Sequence, residues 1–292
     1  MIILGISAYH FDSSACLLIN GKLVGAISEE RLGKRIKHDS SFPINAIKFL
    51  LESNNISIEN VDYVAVGQDK SKNLLAKINY SLTDIKNSYP AFLNSTKKLS
   101  KVNSIKDELK NLITNKKKKI KFKVTRVEHH LAHTASSYLL SSFKGKSASL
   151  SFDGSGDFVS MMLSECKNNK IKILKKIYLP HSVGFFYTAI AQFLGFHNYG
   201  DEYKVMGLAA YGQDNNNYDM SKIIKLDDKG FYKINKKFIK MHSTDSAEKI
   251  FKSNVVIEKW FKPEIEQLLG KSRKPNTKIK QSHMDIAKAV QS

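Results

Sequence analysis

The run Glu128-His129-His130-Leu131-Ala132-His133 carries the sharpest chemical signal in the sequence. On a helix, His129 and His133 are four residues apart and share a face. Two imidazoles on one face can chelate one metal ion. His130 would point about 100° away from His129 at helical spacing. The same spacing also suits histidines with a purely structural or exposed role. A second cluster, Asp153-Gly154-Ser155-Gly156-Asp157, follows a strand-like run. It reads as a tight glycine turn whose backbone N–H groups can hold an anion. Asp153, at the strand end, can complete a set of two histidines and one carboxylate with positions left open for a substrate. A plain hairpin turn rich in Asp and Gly is the alternative.

Two further stretches carry polar groups between apolar runs. Ser7-Ala8-Tyr9-His10-Phe11-Asp12-Ser13-Ser14 offers hydroxyls, an imidazole and a carboxylate in one turn. His10 is suited to acid/base work there, with Asp12 beside it; a turn histidine bonding the backbone is the alternative. In Gly200-Asp201-Glu202-Tyr203-Lys204-Val205-Met206-Gly207-Leu208-Ala209-Ala210-Tyr211-Gly212, Lys204 can contact an anion. A short helix with a glycine stop at Gly212 reads equally well.

The elements that would position these residues follow from hydrophobic patterning. Ile2–Ser7, Ala15–Ile19 and Leu23–Ile27 read as a strand meander, with Asn20-Gly21 as a two-residue hairpin signal. Pro43–Glu52 reads as an amphipathic helix with proline in its first turn. Val61–Val66 and Phe122–Val127 read as buried strands, residues 70–118 as a polar helical excursion, and Leu131–Leu140 as a helix. The opening pattern then recurs: strands at Ser147–Phe152, Phe158–Ser164 and Ile171–Leu179 precede a helix at Phe185–Leu194. Beyond it lie a polar region over 213–250 and helical pieces at 255–269 and 283–291, with no convincing buried strand. This predicts an α/β chain of two lobes, 1–145 and 146–292, each opening with an antiparallel meander. The first lobe is complete and carries a lysine-rich excursion over about 70–120. The second reads as incomplete, ending in mid-helix, so a truncated or split product is expected.

Composition narrows the class. The 292 residues are 42% hydrophobic and 25% charged, ordinary values for a globular chain. No stretch is apolar enough for a membrane span, and the N-terminus reads as a buried strand, not a signal peptide. Cys16 and Cys166, far apart in sequence, read as reduced thiols of a cytoplasmic protein. The net charge is +20, and half of it lies in residues 97–126, where twelve Lys/Arg face only Asp107 and Glu108. Such a run can attract phosphate backbones. With Phe122 as its one aromatic, it lacks the stacking surface of a single-strand binder and reads better as a solvated helical face.

Taken together, the stretches Gly5–Leu18, Glu29–Pro43, Glu128–Tyr138, Asp153–Asp157, Gly200–Gly212 and Asp285–Gln291 resemble the carbamoyltransferases of the NodU/CmcH type. These enzymes modify hydroxyls of nodulation factors and antibiotics. The resemblance covers nearly the whole chain and is weakest over 70–120. It implies an actin-like ATPase (ASKHA) fold of the branch shared with universal tRNA modification. It further implies one divalent metal, iron in most members with zinc or manganese as alternatives, held by His129, His133 and Asp153. A further aspartate ligand would lie beyond residue 292. The implied reaction is metal-assisted transfer from carbamoyl-adenylate, made from carbamoyl phosphate and ATP, to a hydroxyl of a small molecule or sugar. Gly154, Ser155, Gly156, Asp157 and Lys204 would then face the nucleotide, and His10 with Asp12 the acceptor. A YrdC-like domain that builds the adenylate is missing and would be a separately encoded partner. Two other readings follow from the same residues: a threonylcarbamoyl transferase holding tRNA through the basic segment, and an inactive or split fragment that needs a partner chain. The Glu29–Pro43 and Gly200–Gly212 stretches favour small-molecule carbamoylation over tRNA.

Overall fold

A computed structural model describes residues 1–8, 12–33, 38–83, 105–110, 112, 121–143, 145–214, 217–240 and 259–292. The chain forms two compact units, Met1–Asn73 with Phe92–Ser137, and Leu74–Ala91 with Tyr138–Ser292. His10 and most of the basic run over 97–126 lie outside the described residues. Elements are numbered along the chain.

In the first unit, β1 (Ile2–Ser7), β2 (Ser14–Ile19) and β3 (Lys22–Ser28) form the expected antiparallel meander. Asn20 and Gly21 both take positive φ, 51° and 80°, as a two-residue turn matched to strand twist requires. After α1 (Ile44–Ser53), β4 (Tyr63–Val66) returns parallel to β1. β5 (Lys123–Arg126) then runs parallel to β4, giving the order β3-β2-β1-β4-β5. Leu4 and Leu17 on the sheet and Ala46, Ile47 and Leu50 on α1 are buried in one core. A short helix, α3 (Ile105–Lys110), adds Ile105 and Leu109 to it.

Helix α1 starts where it does because of a residue far back in sequence. Proline at position 43 supplies no side-chain cap. The Glu29 carboxylate, 2% exposed, takes that role: Oε1 accepts from the Asn45 N–H and from Asn45 Nδ2 at 3.2 and 2.6 Å, and Oε2 from the Ala46 N–H at 2.8 Å. An anion here satisfies otherwise orphaned donors and opposes the helix dipole. Glu29→Ala is therefore expected to lower stability by about 2–4 kcal/mol. Urea unfolding would show it, with Glu29→Gln losing less because it keeps one acceptor.

The second unit takes in α2 (Leu74–Thr83) and the strands β6 (Ser147–Gly156), β7 (Val159–Lys167) and β8 (Lys170–Tyr178) in an antiparallel β6-β7-β8 sheet. Helix α5 (Val183–Phe193) packs against it, burying Phe186, Ala189, Ile190 and Phe193 with Met161 and Ile177. Helix α6 (Glu202–Ala209) and the C-terminal α8 (Gln281–Gln291) pack on each other, with the short α7 (Glu266–Leu269) between them in sequence.

Two sequence expectations change here. The glycines of 153–157 do not make the turn. Strand β6 continues through Gly156 with an irregularity after Phe152, and the turn is Asp157-Phe158, both at positive φ. The region over 213–250, expected to lack strands, contains a hairpin of β9 (Ile224–Leu226) and β10 (Tyr232–Ile234). Its strands are three residues each, too short to show alternation, yet Tyr232 and Ile234 reach the core.

Candidate metal centre and neighbouring sites

Helix α4 (His129–Tyr138) follows β5 directly. It begins two residues earlier than apolar periodicity suggests because Glu128, 5% exposed, caps it: its Oε2 accepts from the Leu131 N–H at 2.9 Å. The helix thereby starts with His129 in its first turn. His129 Nδ1 lies 3.2 Å from the carbonyl oxygen of Gly67, just past β4. A carbonyl only accepts, so Nδ1 carries the proton and Nε2 keeps its lone pair. That nitrogen is 3.0 Å from Nε2 of His133, and the two rings are nearly perpendicular at 85°. A metal with M–N bonds of about 2.1 Å and a cis angle of about 90° sets its two nitrogens about 3.0 Å apart. The pair thus has the bite of a chelate, and the Gly67 carbonyl orients one ring as outer partners of metal-bound histidines do. His133 is exposed and His129 half-buried. His130 is fully buried and belongs to the packing of the helix.

Beside His129 a cavity of about 20 Å³ is lined by Ile6, Ser7, Ala8, Val66, Gly67 and Gln68. It sits at the carboxyl ends of the parallel β1 and β4, the usual place for a ligand in such sheets. Its size is that of a single water or ion.

Asp12, in the loop between β1 and β2, is exposed, and its Oδ1 accepts from His38 Nδ1 at 2.9 Å. His38 is held at φ 64°, with its N–H donating to Glu30 Oε2 at 2.9 Å. The stretch after β3 thus divides its labour: Glu29 anchors α1, and Glu30 holds the histidine that fixes Asp12. Sequence reasoning missed His38. The pair is 26 residues apart, and the one available signal was a histidine inside Glu29–Pro43, a stretch already singled out.

In the second unit, the Asp153 carboxylate accepts from the Gly154 N–H at 2.6 Å. The first turn of α5 presses on this part of β6. Ser182, its N-cap, donates from Oγ to the Gly154 carbonyl at 2.7 Å and accepts from the Phe185 N–H at 3.1 Å. A Cβ on Gly184 would lie 2.7 Å from the Gly154 nitrogen, so the helix can approach this closely only with glycine there. Gly184→Ala should therefore displace α5 from Asp153 and lower the unfolding midpoint, a loss of about 1–3 kcal/mol readable by denaturation. Asp157 is buried in the turn. Lys204, on α6, pairs with Asp201 at 2.6 Å. Ser155 and Gly156 lie between Gly154 and the turn, as the last residues of β6.

No helix among the described residues is long and apolar enough to cross a membrane. Cys16 and Cys166 are free, and burial pushes both thiols above their ordinary pKa.

Comparison with known proteins agrees with the motifs. The family model described as the carbamoyltransferase N-terminus matches residues 2–288. The nodulation protein NolNO of Sinorhizobium fredii is 30% identical over 78% of this chain, and the uncharacterized protein sll1178 of Synechocystis is 33% identical over 72%. The chain spans 32% and 35% of those two relatives. Among solved structures, YeaZ from Pseudomonas aeruginosa is 14% identical with a TM-score of 0.33, covering 61% of this chain and 66% of that one. The match across nearly the whole sequence makes this chain a member of the carbamoyltransferase N-terminal family.

Proposed function

We propose that this chain carries the transfer site of an O-carbamoyltransferase, moving a carbamoyl group from carbamoyl-adenylate to a hydroxyl of a small-molecule or sugar acceptor. The observation that carries the reading is the His129–His133 pair, with its Nε2 atoms 3.0 Å apart and the His129 tautomer set by Gly67. This donor pair fits a divalent metal, with iron, zinc and manganese all compatible. Asp153 is proposed as its third ligand. Bound there, the metal would supply a Lewis acid for the phosphate and carbamoyl oxygens.

The chain's own residues do the rest. Asp12 accepts the proton of the acceptor hydroxyl through the oxygen that His38 leaves unused. His10, two residues before it, orients the acceptor. The hydroxyl oxygen forms a bond to the carbamoyl carbon, the bond from that carbon to the AMP phosphate oxygen breaks, and AMP leaves with the electron pair. The Ser155–Asp157 stretch, beyond the Gly154 N–H that Asp153 engages, and the Lys204 ammonium, on exchanging Asp201 for phosphate, balance charge on the leaving nucleotide. The carbamoyl-adenylate comes from carbamoyl phosphate and ATP on a YrdC-like partner.

The test supplies the purified chain with ferrous iron and carbamoyl-adenylate generated by a separate YrdC-like protein, together with a panel of sugar hydroxyls. Mass spectrometry should find an acceptor carrying one added carbamoyl group, and AMP release should fall when a chelator removes the metal. AMP release indifferent to both metal and acceptor would overturn the reading.

A further inference from the structure

A second, chemically distinct cavity lies wholly within the second unit. The loop from α5 to α6 and the segment around Arg273 border an open cleft of about 570 Å³, lined in part by Phe196, His197, Asp201, Lys204, Arg273 and Asn276. That volume is in the range of small-molecule sites.

The charge balance of this cavity is uneven. Arg273 is only 9% exposed. Its backbone N–H donates to the Phe193 carbonyl at 2.9 Å, its Nε to the Leu194 carbonyl at 2.5 Å, and its Nη1 to the Thr277 carbonyl at 2.6 Å. The guanidinium lies over the Phe196 ring, 4.9 Å from its centroid. It also packs flat on Gly195, at φ 82°, where any Cβ would come within 2.9 Å of Arg273 Cζ. The group is thus fixed on three sides. Its Nη2 has no acceptor, and no carboxylate lies within ion-pair distance of it, among the described residues.

The other charges cancel. Lys204 Nζ is 2.6 Å from Asp201 Oδ1, and Asp201 Oδ2 accepts from the Asn198 N–H at 3.1 Å, so that carboxylate is fully engaged elsewhere. His197 adds no charge near neutral pH, since burial and then the Arg273 charge hold its pKa below the ordinary histidine value. Among the described residues that line the cavity, one rigid, buried positive charge therefore remains uncompensated, beside a space large enough for a molecule. A planar guanidinium edge of this kind suits the oxygens of phosphate or carboxylate.

We propose that this cavity binds the phosphate or carboxylate group of a small organic anion, with Arg273 as its anchor. The cavity shares Lys204 with the residues proposed to face the nucleotide, but its anchor, Arg273, has no part in that reading, so the proposal does not depend on it.

The test titrates the full chain with inorganic phosphate, and separately with acetate, against chloride at matched ionic strength, followed by amide and arginine side-chain NMR. One of the two oxyanions should give saturable shifts at Gly195, Phe196, His197 and the Arg273 side chain. Preference for phosphate would indicate a phosphorylated ligand, and preference for acetate a carboxylate. Because Arg273 also supports the loop, the informative variant is Asn276→Asp. Asn276 is exposed at φ 59°, a conformation aspartate tolerates, so the change places a negative charge in the wall without disturbing the fold. It should weaken binding by about tenfold or more, whereas Asn276→Gly, which also tolerates this φ, should change it little. Shifts that never saturate, or that match those of chloride, would overturn the proposal. So would saturable binding that Asn276→Asp leaves unchanged.

Discussion

Replacing His129 and His133 together with alanine is expected to take the metal content of the purified protein from about one ion per chain to near zero. Loss of an outer partner alone typically costs metal sites 10–100-fold in affinity, so removal of either imidazole should cost at least about 100-fold. Removal of both leaves no chelate. The fold should survive, because His133 is exposed, His129 is half-buried, and alanine favours the helix they occupy. His130→Gln is the matching control. His130 is fully buried one residue from the proposed ligand His129, so its loss should lower the unfolding midpoint and leave metal content intact. Elemental analysis beside circular dichroism separates the two outcomes. A double variant that keeps its metal would remove the centre of the proposed function. Asp153→Asn then tests the third ligand separately: weaker metal retention with both histidines intact is expected.

What the sequence made legible divides by the range of the interactions involved. The meander of β1 to β3, the helix α1 and the His129/His133 pair depend on neighbours within about one turn or one hairpin, and such patterns are visible in a linear string. Asn20-Gly21 is the plainest instance, since the residue types alone demand the positive φ they adopt. Apart from the β9–β10 hairpin, whose three-residue strands are too short to show a period, the misses are long-range or shape-dependent. Glu29 caps a helix that begins 15 residues later, His38 meets Asp12 across 26, and Arg273 reaches a carbonyl 79 residues away. Nothing in local periodicity marks these. The glycines of 153–157 were legible as special and misread in kind: they look like turn residues, while Gly154 lies where α5 presses against β6 and would crowd Phe185 at 2.9 Å if it bore a Cβ. The family resemblance is borne out across nearly the whole chain, but the partners of Glu29, Asp12 and Arg273 were no part of it.

Asp12→Asn is expected to lower the rate of carbamoyl transfer from supplied carbamoyl-adenylate by about 10²–10⁴-fold, the span of general-base catalysis, with a smaller change in acceptor KM. Asparagine keeps the size of the side chain and can still face His38, so the loss isolates the proton-accepting role. His38 is then a positioning residue, and its contribution should be visible only through Asp12. His38→Asn is the suitable probe, because asparagine tolerates the φ of 64° that this position holds and its backbone N–H can still donate to Glu30 Oε2. A carboxylate freed from its partner samples several rotamers, so the single His38 variant should lose about tenfold in kcat, a cost of misorientation. In the double variant the His38 change should add almost nothing, since the group it positions is already inactive. Such non-additivity is what a double-mutant cycle reports for residues acting as one unit. Multiplicative losses would instead mean that His38 works on the reaction independently of Asp12. A transfer rate unchanged by Asp12→Asn would assign the base to another group.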